Sequence, residues 1–154
     1  MANRRNKEKK AREIIVEADF LFGLRKTDSR HPKVVHALNL HKKGRWSIKI
    51  LSSAVIEVRN ALYSRGFAPK VMGEIVAIMN EILNSFDVEE FIPLELDDLI
   101  VGAKLQDENP SLTFYDSLHA SALKRLGSTI LTSEGFYELL GIGVLDLDKL
   151  VVTR

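Results

Sequence analysis

Five short apolar runs punctuate the chain, and helical patterning fills the gaps between them. This alternation restricts the fold more than any other feature. The runs are EIIV (13–16), SIKIL (47–51), FIPL (91–94), STILT (128–132) and VLDL (144–147). They are too short for buried helices and rich in the branched residues that suit a pleated, buried surface. Between them, Asp19 stands as an N-cap for a helix reaching Arg25. The stretch 31–43 sets Val34, Val35, Ala37 and Leu38 at helical spacing, and Gly44 ends it. Ser52 or Ser53 caps a helix to Tyr63, closed by Gly66. A long amphipathic helix follows over 68–86, and another over 96–105. Thr113 caps a helix through Leu126, which Gly127 stops. Strands that alternate with helices predict an α/β fold of three layers, α/β/α, around a mostly parallel sheet of four or five strands.

With 154 residues, no repeat and no linker composition, the chain is expected to form one domain over 13–154. A basic, flexible tail is expected over 1–12. No apolar stretch approaches the roughly 18 uncharged residues of a membrane-spanning helix. The chain has no Cys, which excludes disulfides and thiolate metal sites and fits a cytoplasmic location.

The apolar segments carry carboxylates where a buried segment should have none. Glu17 and Asp19 close the run EIIVEADFLFGL, Glu57 interrupts SSAVIEVRNAL, Asp116 sits in LTFYDSLHASALKRLG, and Glu134 follows STILTSEGF. Burying an ionised carboxylate without a partner is costly, so acids in such places are paired, hydrogen-bonded or metal-bound. In an open α/β sheet, ligands bind beyond the carboxyl ends of the strands. Glu17 ends the first strand, Asp19 opens the next helix, and Glu134 stands two residues past the fourth strand. Asp116 lies in the first turn of the helix leading to that strand, and Glu57 one turn into the helix after the second. These acids can converge on one edge of the sheet. Oxygen donors of this kind suit Mg²⁺ or Mn²⁺, and a metal pair could drive hydrolysis of a phosphodiester.

Each acid also has a structural reading. Asp19 could be only an N-cap, and Asp116 stands at capping-box spacing from Thr113. Glu57 could pair with Arg59 or Arg65, and Glu134 could be a loop residue. Glu17 has no such excuse. Other acids read as structural: Glu95, Asp97 and Asp98 at a helix start, Asp107 and Glu108 before Pro110, Asp146 and Asp148 as outward-facing or capping residues. The four histidines, 31, 36, 41 and 119, show no two-histidine ligand spacing beside an acid. His119 is expected at the helix edge rather than on a metal. No phosphate-binding glycine loop, nucleophile elbow or zinc motif is present. Charge is unevenly divided: residues 1–70 hold 17 Lys/Arg against 6 Asp/Glu, and residues 71–154 hold 5 against 15. The basic half could approach phosphates, or the two halves could intermix in space.

At this level of detail the chain resembles the PIN domain family, the metal-dependent, Rossmann-like nucleases that include VapC-type toxins and RNA-processing enzymes. IIVEADFLFGL resembles the family's opening strand and acidic motif, SSAVIEVRNAL its second motif with Glu57, and YDSLHASALKRLGSTILTSEGF its third and fourth acids, Asp116 and Glu134. The resemblance spans about residues 13–148. The first and fourth acids are usually Asp in that family; here they are Glu17 and Glu134. Some archaeal-looking members share a Glu-x-Asp opening, which would make Asp19 the principal ligand and Glu17 its neighbour. The resemblance implies an endoribonuclease using Mg²⁺ or Mn²⁺, with Asp19, Glu57 and Asp116 on the metal, Glu17 and Glu134 assisting, and Arg25, Lys26, Arg30 and Lys33 on the backbone of single-stranded RNA. It also implies a homodimer and a possible antitoxin partner. Two rivals stand beside it. One is a non-catalytic scaffold of the same fold that binds RNA or protein. The other is a DxD phosphatase, which would need Asp where Glu17 stands.

Overall fold

The computed structural model describes residues 10–152, and the basic stretch expected as a tail lies outside them up to residue 9. Arg12 belongs to the first strand, so β1 starts one residue inside the stretch expected as a tail. The strands are β1 (Arg12–Val16), β2 (Trp46–Leu51), β3 (Phe91–Ile92), β4 (Ile130–Thr132) and β5 (Val144–Asp146). All neighbouring pairs are parallel, in the order β3-β2-β1-β4-β5. With helices on both faces, this is the expected three-layer α/β/α arrangement. β1 is central and flanked on both sides, which is why Ile14, Ile15 and Val16 are all fully buried and read as a continuous apolar run. β3 stops at Ile92, two residues short of the expected FIPL, because Pro93 has no N–H to offer a ladder.

The helices among the described residues are α1 (Ala18–Phe22), α2 (His31–Lys42), α3 (Ser52–Ser64), α4 (Pro69–Ser85), α5 (Leu96–Glu108), α6 (Phe114–Leu126) and α7 (Phe136–Leu139), and a 3-10 turn covers Leu147–Lys149. Three expectations need correction. The cap position of α1 is Glu17 and not Asp19, and the helix ends at Phe22 rather than Arg25. The cap position of α3 is Leu51, and Ser52 is already helical, because the chain turns directly from β2 into the helix. The short helix α7 follows β4 in a stretch for which the sequence indicates no element.

α6 is bounded as its sequence indicates. Thr113 accepts the Asp116 N–H at 3.2 Å, Asp116 accepts the Thr113 N–H at 3.1 Å, and Gly127 closes the helix in the left-handed region at φ 63°. Ser117 through Leu123 are buried without a break, so α6 has almost no solvent face along its middle. It packs against α5 and α3. Gly102 permits the close approach of α5, since a Cβ there would meet the Ser117 carbonyl at 3.3 Å. The pair is pinned by Arg125, whose guanidinium donates to both oxygens of buried Asp98 at 3.1 and 2.9 Å. Asp98 also accepts the Glu95 N–H in a capping box. The acids expected merely to favour a helix dipole therefore include one half of a buried ion pair.

Candidate active site

The chain order reverses at β1, with β2 and β3 laid down on one side and β4 and β5 on the other. A crevice opens at such a point beyond the carboxyl ends of the strands. Val16 is in register with Leu131, so the next residues, Glu17 and Thr132, face each other across it. The Thr132 hydroxyl donates to Glu17 Oε1 at 2.6 Å and also lies 3.1 Å from Asp19 Oδ2.

Glu17 is 4% exposed, and it does not stand alone. His119 Nδ1 lies 2.8 Å from Oε2, and the Tyr137 hydroxyl donates to the same oxygen. Burial pushes the Glu17 carboxyl up, but the His119 contact and the hydroxyls of Thr132 and Tyr137 outweigh it and hold the pKa below the usual value. Asp19 is tied just as firmly. Oδ2 accepts the Ser133 N–H and hydroxyl, both at 2.7 Å, and Oδ1 accepts the Phe20 N–H at 2.7 Å. Burial, reinforced by the charge of Glu17, raises its pKa nonetheless, against the pull of these donors.

Glu57 projects from the margin of α3 beside the buried Ala54–Val58–Leu62 stripe, with 28% of its side chain exposed. It faces His119 rather than Arg59 or Arg65, and Arg65 lies instead over the Phe22 ring. Burial raises the Glu57 carboxyl to about 7; His119 works against that rise, and the charges of Glu17, Asp116 and Asp19 add to it. Glu134 is exposed in the loop after β4; burial of its inner part and the charges of Glu17, Asp116 and Asp19 raise its pKa, while Arg30 opposes. The five acids singled out in the sequence thus gather at one crevice, close enough to feel one another's charge. Asp116 combines both of its readings, since it closes the capping box of α6 and also bears on this cluster. Among the described residues, no three His, Asp or Glu side chains form a ready-made cage around one point.

His119 is the clearest departure from expectation. It is fully buried rather than placed at a helix edge, because α6 has no edge at that turn. Its Nε2 is the one buried side-chain polar atom without a hydrogen-bond partner among the described residues, and Glu57 Oε2 stands 3.6 Å away. Sequence reasoning also misses Thr132, Ser133 and Tyr137 as neighbours of the site.

The basic residues expected to meet RNA divide into two kinds. Arg25 and Lys26 are exposed. Arg30 forms a two-pronged pair with Asp28, at 2.9 Å on both oxygens, and this holds Asp28 at about 2. Arg30 still senses the charge of Asp19. Lys33 donates to the Asp148 carbonyl.

No family model matches the chain, and no curated protein matches it. Solved structures do. FitAcB from Neisseria gonorrhoeae is 14% identical with a TM-score of 0.65, over 89% of this chain and 99% of that one. The Mycobacterium tuberculosis VapC20, described as a sarcin-ricin loop cleaving toxin, is 15% identical with a TM-score of 0.62, over 84% and 95%. PAE2754 from Pyrobaculum aerophilum is 22% identical with a TM-score of 0.56, over 91% and 94%. At these identities the likeness is one of fold. The fold is that of the PIN domains, and VapC-type toxins are among the structures that share it.

Proposed function

We propose that the protein is a divalent-metal-dependent endoribonuclease of VapC type. The observation that carries this reading is the convergence of Asp19, Glu57, Asp116 and Glu134 on the crevice beside β1 and β4, where mutual charge and burial raise the pKa of three of them. Like charges held together in this way favour a cation. The donor set is rich in oxygen, which suits Mg²⁺ or Mn²⁺.

Among the described residues, Asp116 has one oxygen on the Thr113 N–H and the other free, and the carboxylates of Glu57 and Glu134 accept no hydrogen bond. These three, with Asp19, would hold the metal. Bound there, it would supply a water activated at neutral pH and charge stabilisation for the leaving oxygen. Glu17 would assist by anchoring the crevice from its buried position. Arg25 and Lys26 are free to meet RNA phosphates, and Arg30 and Lys33 would border the same path. FitAB and VapBC2 from Rickettsia felis, two further structures of this shape, are complexes bound to DNA fragments. By analogy this chain would pair with an antitoxin, and the family resemblance adds a second copy of itself as a further expected partner.

A single-stranded RNA of mixed sequence, incubated with Mn²⁺ with and without chelator, tests the reading. Asp116→Ala should cut at least about a hundredfold more slowly than wild type, the scale of losing an important group at a metal site. Cleavage that survives both chelator and Asp116→Ala would mean another mechanism. A specific observation favours a second reading, the non-catalytic scaffold: Asp19 and Glu17 already spend their oxygens on protein donors. Absence of cleavage by wild type on any RNA would favour it.

A further inference from the structure

α6 brings more than a carboxylate to the crevice. Asp116 and His119 are three residues apart on one helix and so share a face. His119 is fully buried, and among the described residues its Nε2 has no hydrogen-bond partner. The ring is not free to turn, because Nδ1 is held 2.8 Å from Glu17 Oε2. That oxygen can only accept, so Nδ1 carries the hydrogen, and in the neutral imidazole Nε2 then presents a lone pair. It presents it to Glu57 Oε2, another lone-pair atom once that carboxyl is ionised, at 3.6 Å. The gap is too long for a hydrogen bond. Two donors each about 2.1 Å from one ion stand about 3.0 Å apart at a right angle and about 3.6 Å apart at a wider one. A carboxylate that receives the far N–H of an imidazole is also the usual outer partner of a metal-bound histidine.

We propose that His119 Nε2 is a direct ligand of the divalent ion, shared with Glu57, and that Glu17 is a positioning residue that locks the imidazole in its coordinating tautomer. The inference rests on the metal-dependent reading above and changes its character. The centre becomes a mixed imidazole–carboxylate site. Mg²⁺ accepts nitrogen poorly, Mn²⁺ tolerates it beside oxygen donors, and the later first-row ions favour it. The protein therefore selects transition ions over Mg²⁺, and the longer side chain of Glu17 reaches a histidine rather than the ion. The competing account is a proton in the ion's place, an imidazolium bridging Glu17 and Glu57.

The test loads the full chain with Mn²⁺ alone and reads electron-spin-echo modulation from directly bound ¹⁴N. Wild type should show it, and His119→Gln should lose it while still binding Mn²⁺ more weakly. Glu17→Gln should bind Mn²⁺ about 10–100-fold more weakly, as expected for an outer partner of a metal-bound histidine. Calorimetry should give wild type a clear preference for Mn²⁺ over Mg²⁺ that His119→Gln lacks. If His119→Gln does not fold, retention of the nitrogen signal in His31→Gln, His36→Gln and His41→Gln, each alone, assigns it to His119. Bound Mn²⁺ without nitrogen modulation overturns the proposal and leaves an all-oxygen metal site standing. No binding at millimolar Mn²⁺ overturns both. Nitrogen modulation without RNA cleavage supports this proposal and removes the nuclease reading.

Discussion

Glu57 shows how one side chain reports on its surroundings. Its ordinary pKa is 4.5 and its pKa in the fold about 7, so between these values the folded protein keeps a proton that the unfolded chain releases. The stability this supplies is whole below pH 4.5 and is lost as pH rises through 7. Allowing for partial exposure, the effect is on the order of 1–2 kcal/mol. Melting temperatures of wild type should therefore fall between pH 5 and 7.5, and Glu57→Gln should flatten that fall. Parallel curves for the two proteins would show that the Glu57 carboxyl is not stressed. A divalent ion reverses the sign. Its ligands must be deprotonated, so Mn²⁺ should raise the melting temperature more at pH 7.5 than at pH 5.5. A shift of the same size at both pH values would argue against carboxylate ligands.

Among the elements, α6 holds the site by its ends and its flank. Thr113 caps it and Asp116 completes the box, so Thr113→Ala should cost about 1 kcal/mol in denaturant unfolding. The Asp116 carboxylate would keep its bond to the backbone N–H of residue 113, so RNA cleavage should fall by no more than the stability change explains. Arg125 is the more demanding partner, because Asp98 is 1% exposed and its charge depends on that guanidinium. Arg125→Met should cost about 3 kcal/mol, whereas the double change Asp98→Leu with Arg125→Met should cost less than the single one. Equal losses would mean that the capping box alone satisfies Asp98.

For the whole molecule, the basic and acidic halves of the chain do intermix. Lys49 from β2 pairs with Glu90, just before β3, at 3.3 Å, and Lys33 and Lys42 of the basic half donate to the Asp148 and Ser85 carbonyls of the acidic half. Net charge therefore says little about RNA, and individual exposed cations such as Arg25 and Lys26 matter more. Arg25→Ala with Lys26→Ala should weaken RNA binding and reduce its salt slope by about 2, one for each phosphate no longer neutralised. An unchanged slope would place the RNA path elsewhere. Apolar surface remains on other faces, where Leu96 and Ile100 of α5 are 78% and 68% exposed.

The sequence alone determined the strand–helix alternation, the bounds of α6 and the acids at the strand ends. These follow from local causes: periodicity, a capping box and a glycine at positive φ. Side-chain partners came only with the tertiary structure. Glu17 meets His119 across 102 residues and Tyr137 across 120, and nothing local foretells either meeting. Both exist because β4 pairs with β1, which sets Thr132 opposite Glu17 and lays α6 and α7 over the same edge. His119 escapes a sequence reading for the same reason. Its helix reads as amphipathic by itself, but α5 and α3 cover the second face and bury the imidazole against two carboxylates. Burial of a whole helix is a property of its neighbours, so the role of the most buried histidine could be decided only by the packing around it.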